Sequence, residues 1–252
     1  MTGWDELTDE LDRWREAGRA ATFWWRDDDA RTDTPALARL LALRDRLGCP
    51  LALAVIPAGA DGTLARALAA EDGIAVLQHG YAHVTHAPAG ADKIELGGRP
   101  VEEIGAELAR GRAMLTALMG EAPDLLVPPW NRIDPAVPPT LPALGFRGLS
   151  TFKARPRRIE GGLAVVNAHI DIVDWPSTRA FRGDGWALDQ ARGHLAARRT
   201  GAADDAEPTG LLTHHLAHDA GCWAFIEKFV SVTSVHPAGR WLTAARAFEA
   251  AR

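Results

Sequence analysis

Short apolar runs alternate with segments of helical periodicity along the chain, and this alternation predicts the fold. The first helix is predicted from Leu7, Leu11 and Trp14, which are spaced by four and three residues. Apolar runs that predict strands lie at 21–25, 51–56, 74–78, 125–127, 148–151, 163–166 and 210–213. Later helices are predicted at 35–47, 64–70, 100–119, 140–144, 186–199, 223–232 and 241–251. Strands that alternate with helices favour an α/β fold with a parallel sheet, and the number of units favours closure into a barrel.

Length and composition favour one domain that spans residues 1–252, of which 47% are hydrophobic. No apolar run approaches the ~20 residues of a membrane span, and the N-terminus lacks the basic start and apolar core of a signal peptide. Cys49 and Cys222 are the two cysteines, and they form neither a disulfide framework nor a zinc knuckle. We therefore expect a cytoplasmic protein with no membrane partner.

The charge distribution argues against a nucleic-acid partner. The net charge is −5, and the 28 basic residues are spread along the chain rather than clustered. Nine tryptophans are compatible with stacking on sugar rings, although tryptophan is most often a core residue. No feature of the sequence indicates an oligomeric state.

Imidazoles and carboxylates follow two of the predicted strands. His79, His83 and His86 come directly after the run 74–78, and three aspartates at 27–29 come just after the run 21–25. If the backbone turns helically after the strand, His79 and His83 lie one above the other and both reach one small ion. The ends of neighbouring parallel strands converge on one mouth, so the acidic triplet could supply a third ligand. Two histidines alone could be capping or solvated loop residues, but the acidic triplet favours a metal site.

Several other kinds of catalytic site are missing. No glycine-rich phosphate loop and no GxSxG nucleophile motif is present, and neither cysteine lies beside a histidine. Carboxylates and imidazoles at strand ends are the groups that acyl transfer by a metal-activated water requires.

These segments, in this order, resemble the motifs of the polysaccharide deacetylase family, the NodB homology or carbohydrate esterase 4 group. The resemblance spans most of the chain and implies a deformed (β/α) barrel of seven or eight units. In the family's first motif a strand ends in two aspartates, a base followed by a metal ligand. We favour Asp28 as the base and Asp29 as the ligand, while Asp27 and Asp28 could fill the same roles.

The second and third motifs each depart from the family pattern at one position. His-x-x-x-His matches His79 and His83, with Gly80 where the family usually has Ser or Thr. The third motif is usually Arg-Pro-Pro-Tyr-Gly, and residues 127–131 keep the prolines and an aromatic residue but lack the arginine. Arg26 or Arg132 could supply that charge, and we favour Arg26 because it precedes the acidic triplet.

The fourth and fifth motifs resemble Asp171-x-x-Asp174-Trp175 and Leu212-Thr213-His214. The resemblance implies the following roles: Asp29, His79 and His83 as ligands of a divalent metal, most simply Zn²⁺; Asp28 as base; His214 as acid, oriented by Asp171; Arg26 beside the base; and Pro129, Trp130 and Asn131 at the oxyanion. Trp175 could be a sugar platform or a core residue. His215 competes with His214 for the acid role, but strand alternation points the two to opposite faces.

The sequence therefore predicts a metal-dependent hydrolase that removes an acyl group from a carbohydrate or a related small amide. The favoured acyl group is N-acetyl. One alternative is a ring-opening amidohydrolase on the same fold, because related barrels have more than one substrate class. Another is a catalytically impaired module that binds carbohydrate through its tryptophans, which the lost arginine favours.

Overall fold

The computed structural model describes residues 2–69 and 71–251. Its strands are β1 (Ala21–Ala30), β2 (Leu51–Val55), β3 (Ile74–His79), β4 (Leu125–Val127), β5 (Gly148–Leu149), β6 (Ile159–Glu160), β7 (Leu163–Val165), β8 (Ile170–Asp171), β9 (Thr209–Thr213) and β10 (Gly239–Trp241). Its helices are α1 (Gly3–Glu16), α2 (Pro35–Leu47), α3 (Gly62–Leu68), α4 (Val101–Met119), α5 (Asp184–Thr200), α6 (Ala220–Val235) and α7 (Ala244–Glu249).

The strands form one curled sheet with the order β6-β7-β5-β4-β3-β2-β1-β9-β8, and β10 pairs with the start of β1. All pairs are parallel except β6 with β7. Within residues 163–171, β7 pairs with β5, Ala168 pairs with Phe152, and β8 pairs with β9. This one segment therefore joins the two sides of the sheet, and the α/β fold with a deformed barrel is confirmed.

Strand β1 pairs with β2, β9 and β10 and carries three large core residues. Phe23, Trp24 and Trp25 are at most 1% exposed. The Trp24 indole donates to Asn167 O at 3.0 Å, and the Trp25 indole donates to Thr213 Oγ1 at 2.9 Å. These two tryptophans are thus core residues with satisfied N–H groups, which is the usual role of tryptophan.

Helix boundaries follow local capping chemistry. Thr34 accepts a hydrogen bond from the N–H of Leu37, and Pro35 occupies the first turn of α2. Gly48 ends the same helix with a φ of 58°, a left-handed conformation that glycine adopts without a steric cost. None of the helices in the described part is both long enough and apolar enough to cross a membrane.

Two sequence-based expectations about the elements are wrong in detail. β1 does not stop before the acidic triplet but continues through it to Ala30, with a bulge between Asp27 and Ala30. The predicted helix at 241–251 begins only at Ala244, because Gly239–Trp241 forms a strand beside β1. The end of the helix predicted at 64–70 falls on Ala70, which lies outside the described residues.

Candidate active site

The three aspartates of β1 have three different sets of partners. Asp27 Oδ1 lies 2.5 Å from His215 Nδ1, and its Oδ2 accepts hydrogen bonds from the Thr213 hydroxyl and the His215 N–H. Burial raises the pKa of Asp27, but the His215 charge and hydrogen bonds lower it more, so that the pKa lies below its ordinary value. Asp27 thus fastens β1 to the end of β9.

Asp28 is 1% exposed and is paired with Arg26, which is fully buried. The Arg26 Nε lies 3.0 Å from Asp28 Oδ1, and a terminal nitrogen donates to Oδ2 at 3.1 Å. The same guanidinium donates to Asn131 Oδ1 at 2.6 Å and to the Ser150 hydroxyl at 2.6 Å. Arg132, the other candidate for the missing arginine, binds Lys93 O and pairs with an aspartate on an exposed loop.

Asp29 faces both histidines of the second motif. Its Oδ1 lies 3.2 Å from His79 Nε2 and 3.3 Å from His83 Nε2, and this buried oxygen has no hydrogen-bond partner. Burial raises the pKa of Asp29, but the close contact with His79 and the imidazole charges lower it by more, so that the pKa lies well below its ordinary value. The carboxylate is therefore ionised at neutral pH.

The donor set of Asp29, His79 and His83 fits a divalent metal. His79 Nδ1 lies 2.9 Å from the carbonyl of Val127, so Nδ1 carries the proton and the lone pair of Nε2 faces Asp29. One carboxylate oxygen and two imidazole nitrogens lie within 4.8 Å of one another. This His₂-carboxylate set is one that zinc uses in hydrolytic sites.

The segment from His79 to His83 is not helical, which corrects the expectation of a helical turn. Gly80 and His83 have left-handed φ values of 53° and 59°. The loop is fixed by Glu95, which is 1% exposed and accepts hydrogen bonds from the N–H groups of Tyr81, Ala82 and His83 at 2.7–3.2 Å. Motif spacing did not reveal Glu95, because it belongs to an irregular loop with no recognisable pattern.

Gly80 is required at its position in this loop. A Cβ atom there would lie 2.0 Å from Glu95 Oε2 and 2.6 Å from the ring of Pro129. Glu95 therefore occupies the space of a side chain at position 80, which accounts physically for glycine where Ser or Thr is usual in the family pattern.

The loop after β4, which contains Pro129, lies beside the His79–His83 loop and forms one wall of the site with it. Trp130 and Asn131 have left-handed φ values of 55° and 57°, and the Arg26 guanidinium holds the Asn131 side chain. The Trp130 ring packs against His83 with a centroid distance of 4.3 Å. Pro129 is buried behind this wall, against Gly80.

His214 and Trp175 form the opposite wall, at an edge-on centroid distance of 4.6 Å. Asp171 accepts hydrogen bonds from the Trp175 indole at 2.9 Å and the Val173 N–H at 3.1 Å, and His214 Nδ1 has no hydrogen-bond partner. Burial raises the pKa of Asp171, and the nearby His214 charge lowers it by less. Asp171 thus acts on His214 through charge rather than through a direct hydrogen bond.

These residues line one cavity of about 800 Å³. The lining residues are Asp28, Asp29, His79, His83, Lys93, Trp130, Asn131, Arg132, Phe152, Lys153, Asp171, Trp175, Arg179 and His214. His214 lies in this lining while His215 faces Asp27, so the two adjacent histidines point to different sides. Arg26 and Pro129 stand behind the lining and hold residues that belong to it.

Solved structures that are similar to this chain include a polysaccharide deacetylase, a family 4 carbohydrate esterase and an allantoinase. A protein from Mycobacterium smegmatis assigned as a polysaccharide deacetylase superposes with a TM-score of 0.66 at 18% identity, covering 91% of this chain and 90% of that chain. The chain has the polysaccharide deacetylase fold. The allantoinase Puue has a TM-score of 0.61 at 15% identity, with 92% and 91% of the two chains covered.

A family 4 carbohydrate esterase from Streptomyces lividans, solved with acetate, has a TM-score of 0.54 at 16% identity, covering 85% of this chain and 88% of that chain. No protein-family model matches the sequence, and no curated protein matches it. Identities this low establish the fold alone, and the function depends on the residues of the site.

This polysaccharide deacetylase fold contains a second group of possible ligands, His169, His194 and Glu207, all of them buried. His169 Nδ1 accepts a hydrogen bond from the Gly210 N–H, so the neutral ring carries its proton on Nε2 and offers no lone pair there to a metal. Glu207 also accepts hydrogen bonds from two backbone N–H groups at 2.9 and 3.0 Å. We interpret this group as a network that satisfies a buried carboxylate.

Proposed function

We propose that this protein is a zinc-dependent hydrolase that removes an acyl group, most simply acetyl, from nitrogen on a carbohydrate. The observation that carries the proposal is Asp29 Oδ1, which faces the Nε2 atoms of His79 and His83 at 3.2 and 3.3 Å. A divalent ion held there would act as a Lewis acid and lower the pKa of a water molecule. The similar deacetylase structures support the same class of reaction.

Asp28 is the base in this proposal. It lines the cavity next to Asp29 but is paired with Arg26, which orients its carboxylate without making it a ligand. It would accept a proton from the attacking water as the carbonyl carbon becomes tetrahedral. Arg26 also holds Asn131, so one guanidinium fixes both the base and the loop that carries Trp130.

The loop of Trp130 and Asn131 is the candidate site for the developing oxyanion. Its backbone is left-handed at both residues, and the Arg26 contact holds the Asn131 side chain, so polar groups are arranged before the substrate binds. His214, on the opposite wall, would give its proton to the departing amine, and the charge of Asp171 would stabilise the protonated imidazole.

A cyclic amide is the second candidate substrate class, because one similar structure is an allantoinase. The same base, acid and metal ligands would serve both reactions. In a cyclic amide the leaving amine stays attached to the product by the rest of the ring, whereas in deacetylation it leaves on the sugar. The third interpretation, an impaired binding module, loses its main support because Arg26 supplies a cation beside Asp28.

The test is a substrate screen with zinc-loaded protein. N-acetylated chito-oligosaccharides are offered in one series and cyclic amides in another, and products are followed by acetate release and mass spectrometry. The proposal is supported if the sugars release acetate and if the rate of release falls at least 10²-fold in His83→Ala. Ring opening without acetate release identifies the cyclic amide class, and binding without either product would contradict hydrolysis.

A further inference from the structure

Backbone strain in this molecule is concentrated in one place. In the described ranges, six residues other than glycine have a left-handed φ: Asp29 (75°), His83 (59°), Trp130 (55°), Asn131 (57°), Lys153 (77°) and Arg179 (55°). All six line the 800 Å³ cavity, which has only 14 lining residues. Such conformations cost free energy and persist where the surroundings enforce them, typically at sites that bind or convert a ligand.

Four of the six belong to the metal site and the oxyanion loop, but Lys153 and Arg179 have no part in the proposed chemistry. The conformation of Lys153 is enforced on both sides, since its N–H donates to Ala168 O at 2.8 Å and its carbonyl accepts from Asn167 Nδ2 at 2.9 Å. The Arg179 N–H donates to Asp174 O at 2.8 Å, and its guanidinium lies 5.5 Å from the Trp175 ring centroid. Each turn therefore holds a cation at the cavity.

The charges of these two cations are not balanced by neighbouring carboxylates. Both side chains are exposed, and neither forms an ion pair with any residue of 2–69 or 71–251. The carboxylates of the cavity have other partners: Asp28 pairs with Arg26, and Asp29 faces two imidazoles. Asp171 accepts hydrogen bonds from the Trp175 indole and the Val173 N–H.

The cavity mouth is consequently positive, although the whole chain has a net charge of −5. Lys93 adds a third unpaired cation to the lining, 5.8 Å from the Trp130 ring centroid, since it makes no ion pair within the described residues. Arg132, the fourth cation of the lining, is paired with Asp92. A positive cleft attracts anions.

We propose that Lys153 and Arg179 bind an anionic substituent of the substrate, so that the preferred substrate is an acylated sugar or amide that carries a carboxylate or a phosphate. This inference rests on the proposed function for the reaction, but it concerns a different part of the cavity. A charge-assisted hydrogen bond from one of these cations should strengthen binding roughly tenfold.

The experiment compares three sugars that share an acetamido group. N-acetylglucosamine is neutral, N-acetylmuramic acid adds a carboxylate, and N-acetylglucosamine 6-phosphate adds a phosphate. Calorimetry on zinc-loaded Asp28→Asn protein measures binding without turnover, and acetate release by the parent protein measures the reaction separately. We expect at least one anionic sugar to bind about tenfold more tightly than the neutral sugar.

The variants Lys153→Met and Arg179→Met each remove one cation but keep a long side chain and a Cβ atom, so the backbone strain is unchanged. Each should remove most of the preference for the anionic sugar and leave the neutral sugar unaffected. Arg157→Met is the matched control, because Arg157 is exposed, lies outside the cavity lining and carries the same charge.

Equal affinity for all three sugars, or an equal loss in Arg157→Met, would overturn the inference, while acetate release would still support the proposed function. An anionic preference that depends on Lys153 and Arg179, without acetate release from any sugar, would support the inference and contradict the proposed reaction.

Discussion

Replacing Arg26 by Met separates the role of the base from that of the metal. The guanidinium is fully buried and makes two contacts with Asp28, one with Asn131, one with Ser150 and one with Thr151 O. Removing one partner of a buried ion pair costs about 3–5 kcal/mol, because the other charge is left without compensation. Methionine fills much of the same volume, so this cost comes mainly from the lost charge and hydrogen bonds.

The same change should lower kcat/KM by about 10²-fold, since Asp28 loses its counter-charge and the loop of Asn131 loses its anchor. Zinc should remain stoichiometric, because Arg26 contacts none of Asp29, His79 and His83 in this structure.

Urea denaturation, metal analysis and acetate release measure the three effects on one preparation. Arg132→Met is the control, since Arg132 faces Lys93 O and an exposed aspartate rather than the base. Full activity in Arg26→Met, or loss of zinc together with activity, would refute the assignment of Arg26 to the base.

Three further predictions follow from individual contacts. Asp29→Asn should lose tight zinc binding, whereas Asp28→Asn should keep zinc and lose turnover. Asp27→Asn should keep zinc but unfold at a lower urea concentration. Metal analysis and urea denaturation curves distinguish the three variants. His214→Ala should lose about 10²-fold more activity on an N-acetyl sugar than on an aryl acetate, because an amine leaves only when protonated; equal losses would mean that His214 is not the acid. Burial lowers the pKa of His194 to about 3. In the unfolded chain the same histidine has a pKa of about 6.5, so the unfolded state binds more protons than the folded state at pH values between the two pKa values. The free energy of unfolding should therefore fall by about 2 kcal/mol between pH 7.5 and 5.0, and by less in His194→Gln.

The fold could be predicted from the sequence because its parallel strands are short apolar runs and its helices carry clear stop signals such as Gly48. The pairing of the acidic triplet with the two histidines also followed from the convergence of strand ends. The bulge in β1 could not be predicted, because it depends on how the end of the strand pairs with its neighbours in the sheet. It turns three consecutive aspartates toward three different partners.

Site residues that lie outside the family motifs could be recognised only from the structure. Glu95 is fixed by three backbone N–H groups that lie 12 to 14 positions away along the chain. Lys153 and Arg179 lie in irregular segments, and neither periodicity nor spacing indicates that both reach the same cavity. Composition could not reveal the positive mouth either, because the net charge averages over the whole surface.

The central claim is that a divalent ion at Asp29, His79 and His83 is needed for amide hydrolysis. Its most direct test is a titration of chelator-treated protein with zinc, in which acetate release from an N-acetylated oligosaccharide is measured at each step. We expect the rate to rise linearly and to stop rising at one equivalent of zinc, and we expect His83→Ala to show no such rise. Acetate release that is undiminished in the presence of excess chelator, or one tightly bound zinc without hydrolysis of any amide, would contradict it.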